Sequence, residues 1–174
     1  MNKRIGLFAG TFDPFTVGHG DIVNRSLFLV DKLIIGVGRN SSKEPMFSLT
    51  ERVNFIKSVY KNDDRISAMW YDGLTIDFAE QNGVNIIIRS IRSFIDFEYE
   101  KNIDEINNQI GHECYGIQTV FMFPSRYFSH ISSSMVRELI RHNKDVSKYI
   151  PDISNYSSPE FVDNELKRYI ESKR

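Results

Sequence analysis

The segment Gly10-Thr11-Phe12-Asp13-Pro14-Phe15-Thr16-Val17-Gly18-His19 concentrates residues able to receive a phosphate group. Gly10 and Gly18 let backbone approach a ligand closely, Thr11 offers a hydroxyl and an amide, and His19 falls where a helix begins, with free amides and a dipole that favour an anion. A tight strand-to-helix turn with a capping histidine would account for the same residues. The segment has neither the G-K-[ST] of a Walker loop nor a G-x-G-x-x-G fingerprint, which disfavours those two nucleotide-binding classes. In Ile131-Ser132-Ser133-Ser134-Met135-Val136-Arg137-Glu138, three hydroxyls and their amides precede a helix and would suit triphosphate oxygens. The alternative has one serine capping that helix, the others facing solvent, and Arg137 as a solvated charge. Arg89 and Arg92 follow the apolar run Ile86-Ile87-Ile88 and offer forked donors that fit phosphate. An ion pair from Arg89 to Asp96 or Glu98 is the competing account. Lys43, taken alone, is a surface charge.

These residues converge only if a fold brings their loops together. Arg4 to Ala9 and Lys32 to Val37 read as buried strands, and Ile66 to Tyr71, Val84 to Ile88 and Thr119 to Phe123 as three further strands. Between them, His19 to Val30 carries Ile22, Val23, Leu27 and Val30 on one helical face. Ser48-Leu49-Thr50-Glu51 has the form of a capping box ahead of a helix bearing Leu49, Val53, Ile56 and Tyr60. Leu74 to Gln81 reads as a third helix, and Tyr99, Ile103, Ile106 and Ile110 mark a fourth that ends at Gly111. Val136, Leu139 and Ile140 mark a fifth after the serines, and a final helix of about 158–172 opens at Ser158-Pro159. Strands alternating with helices predict an α/β fold, a doubly wound, mostly parallel five-stranded sheet in one domain spanning 1–174. Ligands in such sheets bind beyond the carboxyl ends of the strands. All four candidate segments fall there, so phosphate binding explains them together better than four separate structural accidents.

Composition narrows the classes further. With 22 Lys plus Arg against 23 Asp plus Glu, the net charge of -1 provides no bulk positive field for nucleic acid. No uncharged apolar run approaches the roughly 20 residues of a membrane helix, so no membrane association is expected. The single cysteine, Cys114, cannot form an intramolecular disulfide and has no zinc-type neighbours, which points to a reducing cytoplasm. The basic start at Met1 to Arg4 is followed by too short an apolar stretch for a targeting segment.

Thr16-x-Gly18-His19 and Ile131-Ser132-Ser133-Ser134 resemble the H-x-G-H and I-S-S-T signatures of the nucleotidyltransferase superfamily. With Gly10-Thr-Phe-Asp-Pro14, Lys43-x-Pro-Met-Phe47, Glu51-Arg52, Arg89-x-x-Arg92 and Asp96-Phe-Glu-Tyr-Glu100 in the same order, residues 3 to 151 are similar to the bacterial phosphopantetheine adenylyltransferases. The chain departs from that family at Ala9 and Ser90, where the family has Pro and Gly, and is longer between Asn107 and Gln118. The resemblance implies a Rossmann-like fold and transfer of AMP from ATP to 4′-phosphopantetheine with Mg2+, in a cytoplasmic homohexamer. It implies catalytic roles for His19, Lys43, Thr11 and Arg92, and contact of Thr11, Lys43, Thr75 and Arg89 with the acceptor. It further implies an ATP site drawn from Thr11, Phe12, His19, Ser90, Ile91, Arg92, Glu100, and Phe128, Ser129, His130, Ile131, Ser132, Ser133 and Ser134. It assigns no metal ligands. A relative acting on another small phosphate such as nicotinamide mononucleotide, or a nucleotide-binding module without turnover, remains the alternative.

Overall fold

In the computed structural model, which describes residues 3–39, 44–110 and 116–151, five strands alternate with five helices. They are β1 (Ile5–Gly10), α1 (Val17–Ser26), β2 (Lys32–Gly38), α2 (Leu49–Val59), β3 (Ile66–Tyr71), α3 (Thr75–Gln81), β4 (Ile86–Ser90), α4 (Phe94–Ile110), β5 (Gln118–Met122) and α5 (Ser133–Arg141). Lys43, Cys114, Gly111 and the expected helix at 158–172 lie outside the described residues, as do the side chains of Tyr99, Ile106 and Ile110. None of the described helices is long and apolar enough to cross a membrane.

The strands form one sheet in the order β3-β2-β1-β4-β5, and every pairing is parallel. Parallel neighbours need crossovers, and the helices that make them bury both faces, so the strands are apolar almost throughout. Alternation within β1 and β2 divides the core. Phe8, Leu33 and Ile35 face Ile22, Val23, Val53 and Ile56 of α1 and α2. Leu7, Ala9 and Ile34 face Ile76 and Ala79 of α3 on the other side. α5 closes a third cluster with Phe47, Val136, Ile140 and Val146.

Several boundaries differ from the sequence expectation, and the differences bear on the site. α1 begins at Val17 rather than His19, because Thr16 is its cap and His19 its third residue. It ends at Ser26 rather than Val30, where a turn formed by the Leu29 and Val30 amides on the Ser26 carbonyl takes over. α4 begins at Phe94, a full turn before the periodic signal at Tyr99, with Asp96 accepting in its first turn. β4 is displaced toward the C-terminus, so Arg89 and Ser90 are its last two residues, in register with Phe121 and Met122 of β5.

Ile35 is fully buried in the middle of β2, beside Phe8 of β1 and Ala68 of β3. Ile35→Ala is expected to cost about 2–5 kcal/mol, through lost transfer energy and a cavity the sheet cannot collapse into. Urea unfolding followed by circular dichroism checks this; a midpoint equal to that of the parent would contradict the central place given to β2.

Candidate active site

The strand order reverses between β1 and β4, and a cleft of about 670 Å³ opens beyond their carboxyl ends. That is the crevice in which doubly wound sheets hold ligands, and its size suits a nucleotide with a second substrate. β1 delivers Gly10 to Asp13 to its wall, β4 delivers Arg89 and Ser90, and the N-terminus of α5 delivers Ser133 and Ser134.

His19 lies at the centre of this wall. The Thr16 hydroxyl accepts from the His19 amide at 3.4 Å, while the Thr16 amide donates to His19 Nδ1 at 3.0 Å, a reciprocal capping box with histidine in place of the usual Glu or Gln. Because Nδ1 accepts a backbone N–H, the proton of the neutral ring must sit on Nε2. Ring centroids of Phe12 and Phe15 lie 5.1 and 5.3 Å from the imidazole, and that of Phe8 lies 6.2 Å away. Burial against them, helped by the charge of Arg92, pushes the His19 pKa down to about 3. His19 is therefore a neutral donor at physiological pH. The two readings of the sequence coincide, since the histidine shapes the helix start and also faces the cleft.

The cations come with partners. Arg89 Nε donates to Glu100 at 2.6 Å and its Nη1 to the Ala9 carbonyl at 3.1 Å, so the ion pair is made with Glu100 and with neither Asp96 nor Glu98. Arg92 lies 3.7 Å from Asp96. Arg137 is no solvated charge: it donates to the Asp13 carbonyl, sits 3.7 Å from the Asp13 carboxylate and reaches the Ser134 hydroxyl at 3.1 Å. Thr75, first residue of α3, holds its hydroxyl 2.8 Å from that of Tyr71 at the far side of the cleft.

The serines divide their work. Ser132 caps α5 by accepting from the Met135 amide at 3.1 Å, and Ser133 donates to the Pro14 carbonyl at 2.9 Å. As the first two residues of α5, Ser133 and Ser134 have amides with no intrahelical partner. Of the expected residues, Thr11, Phe12, His19, Thr75, Arg89, Ser90, Arg92, Glu100, Ile131, Ser133 and Ser134 line the cleft. Ile91 is fully buried behind it, and Phe128, Ser129, His130 and Ser132 do not line it.

Sequence reasoning assigned no role to Asp13 and Arg52, which are buried at 7% and 5% exposure. Asp13 accepts from the amides of Met46 and Phe47 at 3.0 and 2.9 Å, binding the loop after β2 to the loop after β1. Arg52 donates to the Thr11 carbonyl at 2.6 Å. Burial lowers the Arg52 pKa, against the charges of Asp13 and Glu51, which raise it. A signal for Arg52 existed, since it falls in the Leu49, Val53, Ile56 stripe of α2 where a charge would otherwise be out of place.

A family model described as cytidylyltransferase-like matches residues 7–139. A crystal structure of a bifunctional NMN adenylyltransferase/ADP ribose pyrophosphatase from Francisella tularensis superposes with a TM-score of 0.68 at 16% identity, over 98% of this chain and 50% of that one. That likeness is one of fold. A parallel sheet with this switch-point cleft, within a family match over most of the chain, places the protein among the cytidylyltransferase-like nucleotidyltransferases. The phosphopantetheine adenylyltransferase of Bacteroides thetaiotaomicron is 44% identical over 86% of this chain and 96% of its own length. That of Lachnoclostridium phytofermentans is 42% identical over 86% and 90%. The chain belongs to the phosphopantetheine adenylyltransferase family.

The depressed pKa of His19 has a consequence for stability. Between pH 6.5 and about 3 the unfolded chain protonates this ring and the folded one does not. Its contribution to stability is complete above pH 6.5 and is lost as pH falls through that window. The thermal midpoint of the parent should therefore fall more steeply than that of His19→Gln between pH 6.5 and 4. Imidazole 15N spectra at pH 6 should show protonated Nε2 and bare Nδ1; a doubly protonated ring would contradict the assignment.

Proposed function

We propose that the protein transfers the adenylyl group of ATP to 4′-phosphopantetheine, giving dephospho-coenzyme A and pyrophosphate in coenzyme A biosynthesis. The observation that carries this reading is the neutral His19 with its proton held on Nε2, set in a cleft where Arg89, Arg92 and the α5 N-terminus surround space for phosphates. The relatives named phosphopantetheine adenylyltransferase support the choice of acceptor.

The acceptor is a phosphate monoester whose second pKa is about 6, so it is already largely a dianion at neutral pH and needs no general base. One of its oxygens attacks the α-phosphorus of ATP, the bond from that phosphorus to the bridging oxygen of the β-phosphate breaks, and pyrophosphate leaves with the electron pair. Catalysis then consists of alignment and of donors aimed at the charge developing on the α-phosphate. Nε2 of His19 is such a donor. Thr11 and Lys43 hold the acceptor phosphate, Arg89 and Thr75 contact the pantetheine, and Arg92 lies beside the α-phosphate. Glu100 and Ser90 approach the nucleotide, and the α5 amides at Ser133 and Ser134 receive the β- and γ-phosphates.

Mg2+ fits this cleft as a companion of ATP. Mg2+ is commonly held by one or two carboxylates together with substrate phosphates and water. Its charge would neutralise the phosphates. The near-neutral net charge supports small-molecule substrates over nucleic acid, and the single cysteine accords with a cytoplasmic enzyme. A homohexamer is supported by bare rings at Phe28, Phe94 and Tyr127, which are 87%, 89% and 84% exposed in the single chain.

A steady-state assay of pyrophosphate release over a panel of phosphorylated acceptors tests the reading; preference for another acceptor would overturn it. His19→Ala is expected to lower kcat by about 10²-fold or more with a smaller effect on ATP binding. Lys43→Ala should lower turnover and raise the acceptor KM, whereas unchanged kinetics would return Lys43 to the surface. Light scattering should give a mass of a hexamer, and a value near the 20.3 kDa of one chain at all micromolar concentrations would exclude assembly.

A further inference from the structure

Among the described residues, Asp13 and Arg52 are the two charged side chains that are buried. A buried guanidinium is costly and needs compensation from hydrogen bonds and a counter-charge. Arg52 has both, because its Nε donates to Ser48 O at 3.3 Å, its Nη1 donates to Thr11 O at 2.6 Å, and the Asp13 charge stabilises it. The bond to Thr11 spans 41 residues and joins α2 to the loop that leaves β1.

That bond fixes a peptide plane. The cis bond of this loop is Asp13–Pro14, so the Thr11–Phe12 peptide is trans, and its carbonyl and N–H point in opposite directions. With the carbonyl drawn to Arg52, the Phe12 N–H is turned away from it. Phe12 is 3% exposed, yet its N–H donates to no acceptor among the described residues. Buried backbone donors are rarely left so. Phe12 also has φ of 48°, a left-handed conformation that a bulky side chain adopts only when its surroundings impose it. Its ring lies 5.1 Å from that of His19, so the two residues belong to one wall of the cleft.

We propose that Arg52, which borders the cleft, is a positioning residue: by holding the Thr11 carbonyl it presents the Phe12 N–H to a phosphate oxygen of the nucleotide. The inference rests on the adenylyl-transfer reading for the identity of the ligand, and on the hydrogen bond and peptide geometry for the role of Arg52. It predicts an effect on alignment at the reacting phosphate rather than on nucleotide capture.

The test uses the full chain and ATP, with Arg52→Met and Arg52→Lys beside the parent. Three readouts are needed: steady-state kinetics, ATP affinity by calorimetry, and the Phe12 amide resonance in 15N TROSY spectra with and without ATP. For Arg52→Met, kcat is expected to fall about 10²-fold, as for loss of one preorganised donor, while the ATP Kd stays within about 3-fold. The downfield shift of the Phe12 amide on ATP binding should disappear with it. Arg52→Lys, which keeps a cationic donor, should recover part of both; it carries the test alone if the Met variant does not fold, its shift then falling below that of the parent. An ATP Kd that weakens in step with kcat/KM at unchanged kcat would make Arg52 a direct ligand and overturn the proposal. A Phe12 shift that persists at full size in either variant would also overturn it. If the parent binds ATP but transfers nothing to 4′-phosphopantetheine, the functional reading fails while the amide measurement still decides the role of Arg52. A parent that does not bind ATP sinks both.

Discussion

The bond from the Thr16 amide to His19 Nδ1 does two things at once, and the rest of the cleft is arranged around it. It satisfies a backbone donor at the start of α1, which the helix requires, and it places the imidazole proton on Nε2, which phosphate chemistry requires. Phe8, Phe12 and Phe15 then keep the ring neutral by excluding water from around it. A neutral donor can approach an anion and strengthen its bond as negative charge grows, without the cost of holding a full positive charge in an apolar pocket beforehand.

Around that donor the cleft keeps its cations engaged. Arg89 is tied to Glu100, Arg92 to Asp96 and Arg137 to Asp13, so guanidinium groups that would otherwise repel one another across the cleft are held in place. Phosphate oxygens entering the space must share these groups with carboxylates already present. Such competition favours ligands with several negative oxygens in a fixed arrangement, because one weak anion gains too little to redirect the pairs.

The loop leaving β1 is the mechanical centre. Arg52 from α2 and Arg137 and Ser133 from α5 grip the carbonyls of Thr11, Asp13 and Pro14, and the Asp13 carboxylate in turn grips the amides of Met46 and Phe47. Elements far apart in the chain thus lock five residues of backbone. This follows from the sheet order: β1 is central, so the turn that leaves it lies within reach both of Arg52 on α2, which packs on one face of the sheet, and of Ser133 and Arg137 on α5.

By itself the sequence determined the alternation of strands and helices, because short β-branched runs and 3.6-residue periodicity are local patterns. The parallel sheet followed, since parallel pairing needs crossovers of that length. The sequence also marked Thr11, His19, Arg89 and Ser133 as belonging together, through loops that had to end on the same side. The Ser48–Glu51 capping box was legible from four residues; at the other helix start the sequence offered a capping histidine but not its pairing with Thr16, because histidine is not the usual residue in such a box. Only the tertiary structure decided which carboxylate meets which arginine. Asp96, Glu98 and Glu100 lie within five residues in the chain, and it is the rotation of α4 against β4 that brings Glu100, eleven residues on, to Arg89. Only the tertiary structure, likewise, turned Asp13 and Arg52 inward. Their bonds cross 33 to 41 residues of chain, and no local pattern records a contact made by packing one loop beneath a distant helix.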